Sequence, residues 1–147
     1  MTTRPDRSPP ADDAVAPDGA LTKQDFEALA QFRFAIRRYL RFSEDTVREH
    51  GLTPQQYQLM LALKGFPHRE WATVGELAEQ LQLRPHSAAE LITRAQKQGL
   101  VQRGRDSNDG RVVRVELTDA GETLLAQLSR LHRTQLRHMR TALSVPP

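Results

Sequence analysis

The stretch RGRDSNDGRVVRVELTDAGE, residues 103–122, decides the fold. Its centre, DSNDG, is rich in turn formers, with Asn108, Asp109 and Gly110 able to take positive φ. Runs that read as strands lie on either side, Leu100 to Arg105 and Arg111 to Leu117. In the second, Val113, Val115 and Leu117 alternate with Val112, Arg114 and Glu116, a period of two that predicts one buried face. The whole is a β-hairpin with Arg105 and Arg111 flanking its tip. Thr118 then stands where a helix cap belongs.

Upstream of the hairpin, TVGELAEQLQL opens with the capping box Thr73 to Glu76 and has Leu77, Ala78 and Leu81 to bury. RPHSAAELITRAQKQG follows after a short turn, with Pro85 placed to start a helix and Gly99 to stop it. Two short helices joined this tightly read as a helix-turn-helix, and the attached hairpin makes the unit a winged one. On a helical wheel Ala88, Leu91, Ile92 and Ala95 share one face of the second helix. His86, Glu90, Thr93, Arg94 and Lys97 fall opposite, with hydrogen-bonding groups toward the start and cations further along. That order suits base edges and phosphates, although a merely solvated face has the same composition. An arginine at the hairpin tip suits a narrow, A·T-rich minor groove, where negative potential is enhanced.

Two long helical patterns enclose this unit. The first runs from Thr22 to about His50, with Phe26, Leu29, Phe32/Arg33, Ile36, Leu40 and Val47 at helical spacing and Gly51 closing it. The last runs from Thr118 to about Leu143, with Leu124, Leu125, Leu128, Leu131, Leu136, Met139 and Leu143 as its apolar stripe. The stripe is wider than one small domain needs, which predicts a layer shared with a second copy of the chain. The rival is packing of the two end helices on each other alone. Between the first helix and the helix-turn-helix, LTPQQYQLMLALKGF predicts a helix capped by Thr53, started by Pro54, ended by Gly65 and buried through Tyr57, Met60, Leu61 and Leu63. FPHREW reads as a loop, with Trp71 as a packing anchor.

The 147 residues carry a net charge of only +3. Its distribution says more: residues 84–114 hold seven Lys and Arg against Glu90, Asp106 and Asp109, whereas residues 1–20 are net acidic. A basic excess gathered into one segment is expected of a surface that meets phosphates. No cysteine is present, which excludes disulfides, thiolate catalysis, cysteine-bound zinc and thiol redox sensing, and fits a reducing cytoplasm. No apolar run reaches the length of a signal peptide or membrane span, and the proline-rich residues 1–20 read as a disordered tail. The five histidines, His50, His68, His86, His132 and His138, form no metal-binding pattern, and no phosphate loop or nucleophile turn appears, so neither metal, cofactor nor enzyme activity is expected. Arg33, Arg37, Arg38 and Arg41 read either as a solvated face or as the anion-binding edge of an effector pocket.

The ordered set LTPQQYQLMLAL, ATVGELAEQLQLRPHSAAELITRAQKQGLVQR and RDSNDGRVVRVELTDAGE resembles the MarR family of winged-helix transcriptional regulators over roughly residues 22–140. The resemblance implies a mainly α fold with a small β-wing: a winged helix-turn-helix at 52–118, dimerisation helices at 22–50 and 119–144, all within one domain from 21 to 147. It implies a cytoplasmic homodimer on double-stranded DNA, with His86, Ser87 and Glu90 near base edges, Lys97 near phosphate and Arg111 at the wing tip. Asp109, with Asp106 beside it, is then expected to hold the wing in shape, and Arg94 either touches DNA or pairs with such a carboxylate. A small-molecule effector that releases a repressor is implied too, its binding residues unknown. Three features depart from the family pattern. Gly110 replaces the first arginine of the usual Asp-Arg-Arg, Glu90 puts an anion on the reading face, and an end at Pro147 leaves a short C-terminal interface. Gly110 and Glu90 also keep open a winged module that binds protein instead of DNA.

Overall fold

The computed structural model describes residues 19–106 and 108–147, so the tail expected at 1–20 lies almost wholly outside the described residues. Helix α1 (Lys23–Glu49) is set at its start by a capping box. The Thr22 hydroxyl accepts from the Asp25 N–H, and the Asp25 carboxylate accepts from Thr22 N–H at 2.7 Å. The Thr22 backbone N–H first, and then the Thr22 side chain, hold the Asp25 carboxyl below its ordinary value. Gly51, at φ +79°, turns the chain out of the helix. The same device begins α2 (Pro54–Lys64) through Thr53 and Gln56, and α3 (Val74–Gln80) through Thr73 and Glu76. Helix α4 (Pro85–Lys97) starts on its proline.

Strands β2 (Val101–Arg105) and β3 (Val113–Leu117) form the hairpin, and β1 (Trp71–Ala72) joins its other side, giving the antiparallel order β1-β3-β2. Register runs from Val101 opposite Leu117 to Arg105 opposite Val113. Trp71 is therefore on a strand and not in a loop: it pairs with Glu116, and Ala72 with Val115. Of the expected buried face, Val115 is fully enclosed and Val113 is open, because the hairpin leaves the core as it approaches its tip.

Leu59, Met60, Leu63, Leu77, Ile92, Val101, Val115 and Leu128 are the largest fully enclosed apolar side chains of the core, with Val47 of α1 among them. Leu61 departs from expectation. It is 47 % exposed, while Leu59 and Gln56 are buried. Helix α2 lies at the centre of the lobe and is apolar over most of its circumference, so a wheel does not identify its one open side. Gln56 is buried at no polar cost, because its side-chain amide donates to Gln98 Oε1 at 2.8 Å and its oxygen accepts from Thr53 N–H.

Helix α5 spans Asp119–His138, one turn shorter than expected. The chain then continues in turns, with Leu143 N–H bonded to the Met139 carbonyl at 2.9 Å. His132 of α5 is buried where α1, α2 and α5 meet. Its Nδ1 donates to the Leu128 carbonyl at 2.7 Å, its Nε2 pairs with the Ser43 hydroxyl at 2.7 Å, and its ring stacks on Tyr57 with centroids 4.4 Å apart. Contact between the end helices accounts for only part of their apolar surface. Phe26, Leu29, Phe34 and Leu40 of α1 and Leu131 and Leu136 of α5 all remain exposed.

Candidate nucleic-acid interface

Helix α4 is seated by Ala88, Leu91, Ile92 and Ala95, each buried. With that face fixed in the core, His86, Ser87, Glu90, Arg94 and Lys97 are directed to solvent. Arg84 occupies the N-cap without a side-chain bond, so no side chain caps the N–H groups of the first turn. A helix start of this kind favours an anion. His86 Nε2 lies 3.3 Å from Glu90 Oε1, one turn along the same face.

Thr93 is half-buried and already engaged. Its hydroxyl donates to the Ala89 carbonyl at 2.9 Å and accepts both terminal N–H groups of Arg103 at 3.2 Å. Arg103 also donates to Gln96 Oε1 at 3.0 Å and to the Ala89 carbonyl at 3.2 Å. This arginine of β2 is thus turned onto α4 and locks the base of the wing to the helix beside it. The charge count had placed it among the cations of the basic segment without that role.

At the tip, Asp106 accepts from Asn108 N–H at 2.9 Å through one oxygen and from Arg114 at 2.9 Å through the other. Asp109 accepts the Arg111 N–H at 3.0 Å, and Arg105 donates to the Gly110 carbonyl at 2.8 Å. Each wing aspartate therefore closes a local turn. The Asn108 N–H first, then the Arg114 guanidinium, hold the Asp106 carboxyl below its ordinary value despite desolvation. The wing aspartates are paired with Arg114 and Arg111. Gly110 does not use positive φ, and a side chain there would meet nothing within 4 Å. Arg105 and Arg111 are both exposed at the tip, Arg111 almost completely.

Elsewhere, Arg37, Arg38 and Arg41 line an open recess with Phe34, Phe42 and Gln135, and Asp45 also borders it. Among the described residues no three His, Cys, Asp or Glu side chains are grouped to hold a metal ion, and no helix is long and apolar enough to cross a membrane.

A model of the MarR family matches residues 50–112, from the end of α1 to the wing. The uncharacterized HTH-type transcriptional regulator YsmB of Bacillus subtilis (strain 168) is 28% identical over 123 residues, which span 81% of this chain and 82% of that protein. The homoprotocatechuate degradative operon repressor of Escherichia coli is 34% identical over 97 residues, 66% of this chain and 62% of the repressor. In fold the chain is similar to a MepR mutant of S. aureus bound to an oligodeoxyribonucleotide, with a TM-score of 0.65 at 18% identity, covering 85% of this chain and 86% of the other. Over its helix-turn-helix and wing, residues 50–112, the chain thus matches the MarR family of transcriptional regulators, a family of regulators and not of enzymes.

Proposed function

We propose that the protein is a cytoplasmic repressor that binds a pseudo-palindromic duplex operator as a homodimer and leaves it when a small molecule binds between the end helices and the winged lobe. The observation that carries the first half is the placement of two open basic features on one rigid unit. The solvent face of α4 bears Ser87, Arg94 and Lys97, and the wing tip bears Arg105 and Arg111. Arg103 joins the two. A helix face of this width fits a major groove, and a guanidinium at a hairpin tip fits the adjoining minor groove.

In this reading His86, Ser87 and Glu90 face base edges, and Glu90 accepts from a cytosine amino group. Thr93 lies deeper, at the limit of the same face. Arg94 and Lys97 meet phosphates, Arg105 and Arg111 enter the minor groove, and Asp106 and Asp109 keep the wing closed around them. The repressor function draws support from the relatives, one of which is itself named a repressor of a degradative operon.

Selection of bound sequences from a random duplex pool, followed by anisotropy across a salt series, tests the reading. The expected result is an inverted repeat with half-site centres about 10 base pairs apart, or a multiple, and a steep loss of affinity with salt. Absence of duplex binding at low salt, where the phosphate contribution is greatest, would overturn it.

A further inference from the structure

Trp71, the chain's one tryptophan, sits on the short strand β1 beneath the wing. The Arg69 guanidinium carbon lies 4.0 Å from its ring centroid and that of Arg114 lies 3.8 Å away. Both guanidinium groups therefore pack against the same indole. Each cation has its own carboxylate. Arg69 pairs with Glu76, the capping residue of α3, and also lies over Phe66, while Arg114 pairs with Asp106 in the wing turn. Burial raises the Glu76 carboxyl, but the Thr73 bonds and Arg69 outweigh it and leave it below its ordinary value.

The Arg114 Nε is buried and has no hydrogen-bond partner among the described residues. A buried donor left unpaired costs free energy, so the guanidinium keeps this place against a penalty that stacking on the indole offsets.

We infer that Trp71 is a positioning residue for DNA binding: the chain Glu76, Arg69, Trp71, Arg114, Asp106 fixes the angle at which the wing presents Arg111. Arg103 anchors β2 to α4, and the stack anchors β3 to the start of α3, so the two strands of the wing are held from opposite sides. This inference rests on the proposed DNA contact of Arg111, although Trp71 itself touches no DNA.

A double-mutant cycle on the selected operator provides the test. Trp71→Ala is expected to weaken binding roughly tenfold with Arg111 present and less than about twofold in an Arg111→Ala background, with the salt slope reduced as in Arg111→Ala itself. Trp71→Phe, which restores an aromatic face, is expected to recover affinity to within about threefold. Equal losses in the two backgrounds, or no loss in either, would overturn the inference. Should Trp71→Ala not fold, Arg114→Lys replaces it in the cycle, since it keeps the charge beside Asp106 and removes the planar face. A DNA-free measurement separates this inference from the DNA reading. Asp106→Asn is expected to shift the Trp71 emission by loosening Arg114 over the ring, and unchanged emission would break the chain. If the native protein bound no duplex, the DNA reading would fall, and the emission experiment alone would judge the stack.

Discussion

Gly121 and Gly110 are the same residue type under opposite constraints. At Gly121 a side-chain carbon would overlap the Leu100 carbonyl oxygen, and that carbonyl is held in place by Thr118 N–H at 3.1 Å. Both obstacles are backbone, so neither can rotate away. Gly121→Ala is expected to destabilise the protein by about 1–3 kcal/mol, as overpacking against fixed atoms does. Urea denaturation reads this directly, and an unchanged midpoint would mean that α5 slides without resistance. Gly110 has open space around it and needs no left-handed backbone, so Gly110→Arg fits without strain. On a surface that meets DNA, the added cation is expected to tighten binding at low salt and to steepen the salt slope by about one unit. If affinity stays level across the salt series, position 110 faces away from the duplex.

Elements were legible in the sequence where their determinants are local. The caps at Thr53 and Thr73 lie within three residues of their partners, and the aspartates of the wing turn bond only a few residues on. Periodicity likewise found the buried face of α4, because that helix has a single core side. Three features were not legible for matching reasons. A strand of two residues has no period to detect, α2 carries apolar residues around most of its circumference, and the Arg103 and Arg114 clamps join residues that only the fold brings together. Arg103→Ala is expected to free the base of the wing at a cost of roughly 1–2 kcal/mol in local stability, the value of its lost hydrogen bonds. Faster hydrogen exchange at the β2 and β3 amides, with α2 unchanged, would report it; uniform exchange across both would refute a local clamp. Acid probes the other side of the wing. A carboxyl with a depressed folded-state value supports the fold above its unfolded value and loses that support as pH falls through the folded one. For Asp106 this places wing loosening below about pH 4, under the ordinary aspartate value. Trp71 emission followed down an acid titration checks the window, and a transition centred near pH 6 would implicate a histidine instead.

For the molecule as a whole, most of the exposed apolar residues fall on the two end helices, with Leu61 and Val113 the exceptions on the winged lobe. Phe26 and Phe34 of α1 are 56 % and 59 % exposed, and Leu131 and Leu136 of α5 stand open beside them at 41 % and 39 %. Isolated apolar residues on a surface need no cause, but a series along two adjoining helices is what the proposed homodimer would cover. The sequence suggested this layer from the width of the α5 stripe. It could not separate the half that His132 and Leu128 bury within one chain from the half that stays exposed. A twofold partner seated on that half would place two α4 helices and two wings on one side of a pair, and an inverted repeat is the operator symmetry such a pair requires. The native protein is therefore expected to sediment at micromolar concentration near twice its chain mass of 16.7 kDa. The double variant Leu131→Asp, Leu136→Asp is expected to sediment as a monomer with its helix content retained, because neither side chain is needed in the core. Its operator affinity should then fall at least tenfold, since one half-site must bind without the other. A monomeric variant that still held the full repeat with native affinity would show that the two half-sites do not depend on one another.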